Sequence, residues 1–144
     1  MRVLLNGVGR VGKAILRIVL QNHNFEIVAI NELNRSLENI AYSINYDSTY
    51  GKLDDKFEVG SNYIQNSSTK IDILNYKSLE EIDYKLLNID TVIDASGSKV
   101  NVENLKKLSP NEIHLTIKNL NAGYGKMEIL HNFDLNVSKA QSLC

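Results

Sequence analysis

The fold of this chain is decided by the sequence Gly7-Val8-Gly9-Arg10-Val11-Gly12, which has the spacing G-x-G-x-x-G. The motif directly follows an apolar run at residues 2–5 that predicts a buried strand, and it opens a segment with helical spacing of apolar residues. Glu32 lies twenty residues after Gly12, at the end of the next predicted strand. A strand, a glycine turn, a helix and a later acid in this order are typical of a dinucleotide-binding βαβ unit.

Each glycine of the motif has a separate physical purpose. Gly7 permits the tight turn from strand to helix, Gly9 lets a pyrophosphate approach the backbone, and Gly12 lets the helix pack closely on the strand. Unpaired amides at the start of the helix then face the phosphates, and the helix dipole favours their negative charge. The alternative interpretation is a glycine turn in an α/β protein that binds nothing.

Glu32 bears on the choice between the two nicotinamide dinucleotides. Its carboxylate can accept hydrogen bonds from the adenosine ribose hydroxyls, and it would repel a 2′-phosphate. Leu33 adds no cation that could offset this repulsion. The sequence therefore predicts NAD as the cofactor and favours it over NADP.

Strand and helix signals alternate along the chain. The first helix is predicted to bury a face that carries Val11, Ala14, Ile15, Ile18 and Val19. The other predicted elements are a strand at 26–30, a helix capped by Ser36, a hairpin of 56–59 and 63–65, a strand at 70–74, a helix at 78–87 begun by a capping box at Ser78, a strand at 91–95, a helix at 102–108, and strands at 113–117 and 127–130. This order predicts an α/β fold, a Rossmann-type doubly wound and mostly parallel sheet with an antiparallel hairpin insertion, in one domain over residues 1–144.

Composition limits the classes of partner and site. With a formal net charge of −1 the chain has no basic surplus for nucleic acid or an anionic membrane, and no apolar run is long enough to span a bilayer. Cys144 is the only cysteine, so an internal disulfide is impossible, which is consistent with the cytoplasm. His23, His114 and His131 lack metal-ligand spacing, so we expect no metal site.

Four segments in order resemble the phosphorylating glyceraldehyde-3-phosphate dehydrogenase family. They are the glycine turn with Asn6 before it, residues 28–32, the sequence Y-D-S-T-Y-G-K at residues 46–52, which is close to the family's Y-D-S-T-H-G-K/R, and residues 90–97. The match is firm over residues 1–52 and 71–97, and weak over residues 53–70 and from residue 98 onward. Residues 31–33 and 78–79 resemble the erythrose-4-phosphate dehydrogenase branch, so the substrate remains open between the two sugar phosphates.

The resemblance implies an enzyme that oxidises an aldehyde through a cysteine thioester, passes hydride to NAD and releases an acyl phosphate. It also implies a homotetramer. The cofactor-binding residues that it implies are Asn6, Gly7, Gly9, Arg10, Val11, Gly12, Asn31, Glu32, Lys77, Ser96 and Gly97.

The implied roles place these residues along the cofactor. Arg10 and Val11 would offer backbone amides to the pyrophosphate. Ser96 and Gly97 would lie near the nicotinamide half. Lys77 would lie near the adenine, or it is a solvated surface lysine.

The chain departs from the family after residue 97. Residues 117–120 read I-K-N-L where the family has a strand ending in S-A-P, and the sequence closes with Ser142-Leu143-Cys144 where the family has S-C-T-T-N-C. Cys144 is the candidate catalytic nucleophile, and the alternative is a terminal cysteine with no partner. We expect the catalytic domain of the family to be absent, and the 144 residues alone to be inactive as a dehydrogenase.

Two hypotheses of function follow from this departure. In the first, the chain is the NAD-binding domain of a glyceraldehyde-3-phosphate dehydrogenase family enzyme, truncated before the catalytic domain. The alternative is a stand-alone, non-catalytic module that binds NAD or a protein partner.

Overall fold

A computed structural model describes residues 1–21 and 25–98 in full, and the backbone of two further strands within residues 113–138. The elements are β1 (Arg2–Asn6), α1 (Arg10–Leu20), β2 (Glu26–Asn31), α2 (Leu37–Asn45), β3 (Tyr46–Asp47), β4 (Gly51–Lys52), β5 (Glu58–Val59), β6 (Tyr63–Gln65), β7 (Lys70–Leu74), a 3₁₀ turn (Leu79–Glu81), β8 (Thr91–Asp94), β9 (Ile113–Tyr124) and β10 (Met127–Ser138). Neither described helix is long and apolar enough to cross a membrane.

The main sheet has six strands in the order β5-β6-β7-β2-β1-β8. Strands β7, β2, β1 and β8 are parallel, and β5 and β6 extend the sheet as an antiparallel hairpin. β1 and β2 read as nearly continuous apolar runs because parallel strands are covered on both faces. The predicted Rossmann-type sheet and its hairpin insertion are therefore confirmed.

A bulge distributes the side chains of β2 between the two faces. The pairing of β1 with β2 shifts by one residue between Val3 and Leu4, so that Val3 lies opposite Ile27 and Leu4 opposite Ala29. Val28 and Ala29 consequently join the same cluster of buried side chains. Leu4 is the residue of β1 in this cluster. The other face of the sheet packs on α1 and α2.

The rotation of α1 about its axis differs from the prediction. Val11 and Ile18, expected on the buried face, are 61% and 65% exposed, whereas Gly12 and Leu16 are buried. Gly12 packs against the backbone of Gly7, and this contact sets which side of the helix faces the sheet. Ile15 and Val19 pack against the core as predicted, so apolar spacing gave the face only in part, because close glycine packing carries no hydrophobic signal.

The helix predicted at residues 78–87 is not formed. Ser78 accepts a hydrogen bond from the Glu80 amide and begins a single 3₁₀ turn, as a cap should. The carboxylate of Asp83 then accepts hydrogen bonds from the amides of Lys85 and Leu86, at 3.1 and 3.0 Å, and starts a separate turn. A short acidic side chain that bonds to nearby amides competes with helix propagation, and here it divides the segment in two.

Other sequence predictions are confirmed or extended. Ser36 caps α2 by accepting from the Asn39 amide, and α2 buries Ile40, Ala41 and Ile44. The strands predicted at 113–117 and 127–130 are longer, and they pair with each other in a separate antiparallel sheet instead of joining the parallel one. The predicted helix at 102–108, His23 and Cys144 lie outside the described residues.

Candidate functional site

The glycine turn joins β1 to α1 at the carboxyl edge of the parallel strands. Gly7 has a φ of +90°, a left-handed conformation that favours glycine, and its amide donates to the Asn31 carbonyl at 2.8 Å. A Cβ at Gly7 would lie 2.8 Å from the Ser96 Cα, and a Cβ at Gly12 would overlap the Gly7 carbonyl oxygen. The fold itself therefore requires glycine at both positions.

Gly9 differs from the other two glycines of the motif. Its φ is not positive, and a Cβ built there would meet no described atom within 4 Å. Neither backbone conformation nor packing within the described chain demands a glycine at this position. The open space beside Gly9 belongs to a cleft.

This cleft is a cavity of about 600 Å³ that runs along the ends of β1, β2 and β8. Among the predicted site residues it is lined by Asn6, Gly7, Gly9, Asn31, Glu32, Lys77 and Ser96. Crevices outside the carboxyl ends of parallel strands are where open α/β sheets bind ligands.

The remaining predicted residues lie around this cleft without lining it. Gly12 is buried beneath the turn, Val11 is exposed on α1, and Gly97, with a φ of +71°, is exposed beside Ser96. The side chain of Arg10 borders a smaller cavity. The amides implied for Arg10 and Val11 belong to the first turn of α1, next to Gly9.

A chain of buried polar side chains forms the floor of the cleft. Asp94 is fully buried, and its Oδ1 accepts from Asn6 Nδ2 at 2.9 Å and from the Ser96 amide at 3.0 Å. Asn6 Oδ1 in turn accepts from Asn31 Nδ2 at 2.8 Å. Asn31 also exchanges two hydrogen bonds with the backbone of Tyr76. These bonds tie together the ends of three parallel strands and the segment that follows β7, and so fix the shape of the cleft.

Sequence reasoning found Asn6 and Asn31 but missed Asp94 and Tyr76. Asp94 was predicted only as part of a strand. A carboxylate that closes an otherwise apolar strand at the ligand-binding edge is the signal that could have identified it. Tyr76 takes part through its backbone, which leaves no trace in residue type.

Glu32 lies at the other end of the cleft, next to the glycine turn. Its Oε2 accepts from the Val8 amide at 2.7 Å, and its Oε1 lies 3.9 Å from Arg35 Nε. Leu33 is uncharged, but the guanidinium three residues after Glu32 stands beside the carboxylate. The cation beside Glu32 thus comes from Arg35, a residue that the prediction for Leu33 did not consider.

The Tyr46–Gly51 segment is held by two cations of α1. Lys13 pairs with the buried carboxylate of Asp47, whose Oδ1 also accepts from the amides of Thr49 and Tyr50 in an Asx turn. Arg17 donates to backbone carbonyl oxygens of α2 and of this segment. The pKa of Asp47 is lowered to about 2, chiefly by the hydrogen bond from Lys13 and also by those from the two amides. Burial opposes this shift, because it disfavours the charged carboxylate.

We expect this pair to make stability depend on pH. Because the pKa of Asp47 falls from 3.8 to about 2 on folding, its contribution is complete above pH 3.8 and is lost as pH falls towards 2. Asp47→Asn should lower the free energy of unfolding on the order of 2 kcal/mol near pH 6 and by much less near pH 2. Urea unfolding across this range, with the exposed Asp54→Asn as control, measures the difference. A difference in unfolding free energy between wild type and Asp47→Asn that stays constant with pH would contradict the prediction.

The described side chains, residues 1–21 and 25–98, bring no group of three or more His, Cys, Asp or Glu together for a metal ion. His114 and His131 lie on strands described by their backbone alone.

The glycine turn, the acid at the end of β2 and the cleft at the carboxyl ends of parallel strands define a dinucleotide-binding domain of the Rossmann type. Residues 1–102 match the family described as glyceraldehyde 3-phosphate dehydrogenase, NAD binding domain. The chain belongs to this family, which confirms the predicted family and the predicted cofactor, NAD.

Relatives with established names support the same assignment. Glyceraldehyde-3-phosphate dehydrogenase 2 of Staphylococcus aureus (strain Mu50) is 43% identical over 95 residues, which are 66% of this chain and 28% of the relative. The protein of the same name from Staphylococcus epidermidis (strain RP62A) is 37% identical over 95 residues, with the same shares covered. The chain thus matches little more than a quarter of the length of these relatives.

Proposed function

We propose that the cleft binds NAD, with the pyrophosphate against the glycine turn and the first amides of α1. Gly9 is the observation that carries this proposal. The fold explains glycine at positions 7 and 12, whereas position 9 faces open space in the cleft. A backbone that must admit a phosphate at close range explains the third glycine. The unpaired amides of Arg10 and Val11 at the start of α1 would supply hydrogen bonds and the positive end of the helix dipole.

The two ends of the cleft suggest how the rest of the cofactor is held. Glu32 would accept from the adenosine ribose with the lone pairs that Val8 and Arg35 leave available. Lys77 lines the same end, beside the site proposed for the adenosine. Ser96 and Gly97 would border the nicotinamide half, on the loop that Asp94 anchors.

We also propose that the chain is the cofactor-binding part of an NAD-dependent phosphorylating aldehyde dehydrogenase that works as a homo-oligomer in the cytoplasm. Family membership and the names of its relatives support this, although the chain covers 28% of their length. NAD supplies a hydride acceptor when bound. Cys144 remains the candidate nucleophile of such an enzyme, and we expect no turnover from these 144 residues by themselves.

Substitution of Gly9 separates binding from folding. Because a Cβ at this position meets no described atom within 4 Å, Gly9→Ala and Gly9→Val should fold as the wild type does. Both should block the approach of the pyrophosphate. We expect NAD affinity to fall about tenfold for alanine, which is about 1.4 kcal/mol of binding free energy, and further for valine. Isothermal titration calorimetry with NAD measures this, and thermal unfolding checks the fold.

Two results would count against the proposed site. One is unchanged NAD affinity in Gly9→Val, which would place the cofactor elsewhere. The other is the absence of any heat or ligand-NMR signal for the wild type at millimolar NAD.

A further inference from the structure

We propose that Asn6 is a site of spontaneous deamidation, that the folded chain suppresses this reaction, and that a chain modified there does not refold. Asn6 is the only asparagine of the sequence that is followed by glycine. Glycine has no Cβ to hinder its own amide nitrogen, so an asparagine before it is the most easily lost of these thermolabile residues. The modification is independent of cofactor binding, because it needs only the chain and water.

The reaction joins the backbone of Gly7 to the side chain of Asn6. The Gly7 amide nitrogen attacks Asn6 Cγ, so that a new Cγ–N bond forms and the Cγ–Nδ2 bond breaks. Ammonia leaves with the proton that the Gly7 amide gives up, and a cyclic imide remains. Water then opens the imide at either carbonyl group, and aspartate or isoaspartate replaces asparagine. The step requires no oxidant or reductant.

Hydrogen bonds of the folded chain hold both reacting groups in place. The Gly7 amide, which must lose its proton to react, donates to the Asn31 carbonyl at 2.8 Å. The side-chain amide of Asn6 is fixed at both ends, since Nδ2 donates to Asp94 Oδ1 at 2.9 Å and Oδ1 accepts from Asn31 Nδ2 at 2.8 Å. Rotation of Cγ towards the Gly7 nitrogen would break two buried hydrogen bonds.

The backbone and the surroundings of Asn6 oppose the reaction as well. Asn6 ends β1 between Asn31 of β2 and Asp94 of β8, so ring closure would have to pull it out of an extended strand paired on both sides. The residue is 4% exposed, which limits access of the water that opens the imide. Because β1 lies inside the six-stranded sheet, its release disrupts most of the parallel pairing. The reaction therefore proceeds from unfolded molecules, at a rate set by their fraction.

Neither product fits the place that Asn6 leaves. Aspartate would put a carboxylate where Nδ2 donates to Asp94, so two buried carboxylates would face each other in place of a hydrogen bond. Isoaspartate continues the chain through its side-chain carbon and lengthens the backbone by one methylene group. This displaces Gly7 from its turn, with a φ of +90°, and from the Asn31 carbonyl. A modified chain consequently cannot rebuild the glycine turn.

Peptide mass spectrometry of the 144-residue chain after timed incubation at mildly alkaline pH tests the proposal. Trypsin releases Asn6 in the peptide of residues 3–10, and electron-transfer fragmentation distinguishes the two products. We expect Asn6 to react about a hundredfold faster or more in guanidinium chloride than in native buffer. In the unfolded sample it should react about tenfold faster or more than Asn31, which belongs to the same buried cluster but is followed by Glu32.

Two variants connect the rate of modification to folding. Ile40→Ala opens a cavity in the core beside α2, at a residue that does not line the cleft. It should raise the rate at Asn6 in native buffer about tenfold or more, because it raises the unfolded fraction. Leu86→Ala is the matched control, since Leu86 is 78% exposed, and it should leave that rate unchanged. Neither variant should alter the rate in guanidinium chloride.

Removal of the denaturant tests the block on refolding. Among chains returned to native buffer, those that resist brief proteolysis should carry an intact Asn6, and the modified chains should be digested. Modified Asn6 that is as frequent in the resistant fraction as in the whole sample would overturn the block.

Two further results would overturn the other parts of the proposal. An Asn6 that reacts no faster than Asn31 in the unfolded chain is not a deamidation site. Equal rates in the native and the unfolded chain, or an Ile40→Ala rate equal to that of wild type, would show that the fold does not suppress the reaction.

Discussion

Replacement of Gly12 by alanine is expected to lower the free energy of unfolding by about 3 kcal/mol or more, a large part of the stability of an ordinary domain. The added Cβ would overlap the carbonyl oxygen of Gly7 and lie 3.0 Å from its carbonyl carbon. Both are backbone atoms, so no side-chain rotation relieves the clash. Gly7 in turn is held by its bond to the Asn31 carbonyl and by the close approach of Ser96, so the turn has little room to move.

Urea unfolding followed by circular dichroism measures this loss, and Gly9→Ala is the control from the same motif. Alanine at position 9 meets open space and should change stability by less than about 1 kcal/mol. A Gly12→Ala chain as stable as Gly9→Ala would show that α1 can move away from the turn at little cost.

The second large effect is expected from Asp94→Leu, which removes the acceptor at the floor of the cleft. Leucine has the same number of side-chain heavy atoms, but it leaves Asn6 Nδ2 and the Ser96 amide without their bond to Oδ1. Asp94 is fully buried and Asn6 is 4% exposed, so water cannot readily replace the lost acceptor at Asn6. An unsatisfied buried polar group costs about 1–3 kcal/mol, so we expect a loss of about 2–5 kcal/mol in unfolding free energy. NAD affinity should fall as well, because Asn6 and Ser96 both border the cleft.

Asp94→Asn is the matched variant for this prediction. Both of these hydrogen bonds end on a single oxygen, Oδ1, and an asparagine can present an oxygen in the same place. We expect it to retain more stability and more NAD affinity than the leucine variant in parallel urea and calorimetric measurements. Equal losses in the two variants would mean that the negative charge, and not the acceptor, supports the floor.

The strands whose pattern of apolar residues matches their burial in the fold could be predicted from sequence. β1 and β2 are buried on both faces and read as apolar runs, and β7 was placed at the residues where it occurs. The rotation of α1 could not be predicted, because it depends on the contact of Gly12 with backbone instead of on apolar side chains. The helix expected over residues 78–87 failed because Asp83 has a local hydrogen-bonding alternative.

The residues of the site likewise divide into those that sequence could locate and those that it could not. The glycine turn and Glu32 have a fixed spacing along the chain, so sequence alone could locate them. Arg35 lies in the irregular segment between β2 and α2, where the path of the backbone decides which side chains meet. A cation three residues after the acid was visible in the sequence, but only the turn of the chain brings it back to the carboxylate.

The strand order also has a consequence for how the chain folds during synthesis. β1 precedes the other strands of the main sheet in the chain, yet one of its two neighbours, β8, follows it by almost 90 residues, as the Asn6–Asp94 separation of 88 positions shows. Until β8 leaves the ribosome, one edge of an apolar strand has no partner, and open edges of this kind recruit other chains. The nascent protein should therefore depend most on chaperones between the emergence of β2 and that of β8, and a synonymous codon change that slows translation in this interval should increase its aggregation.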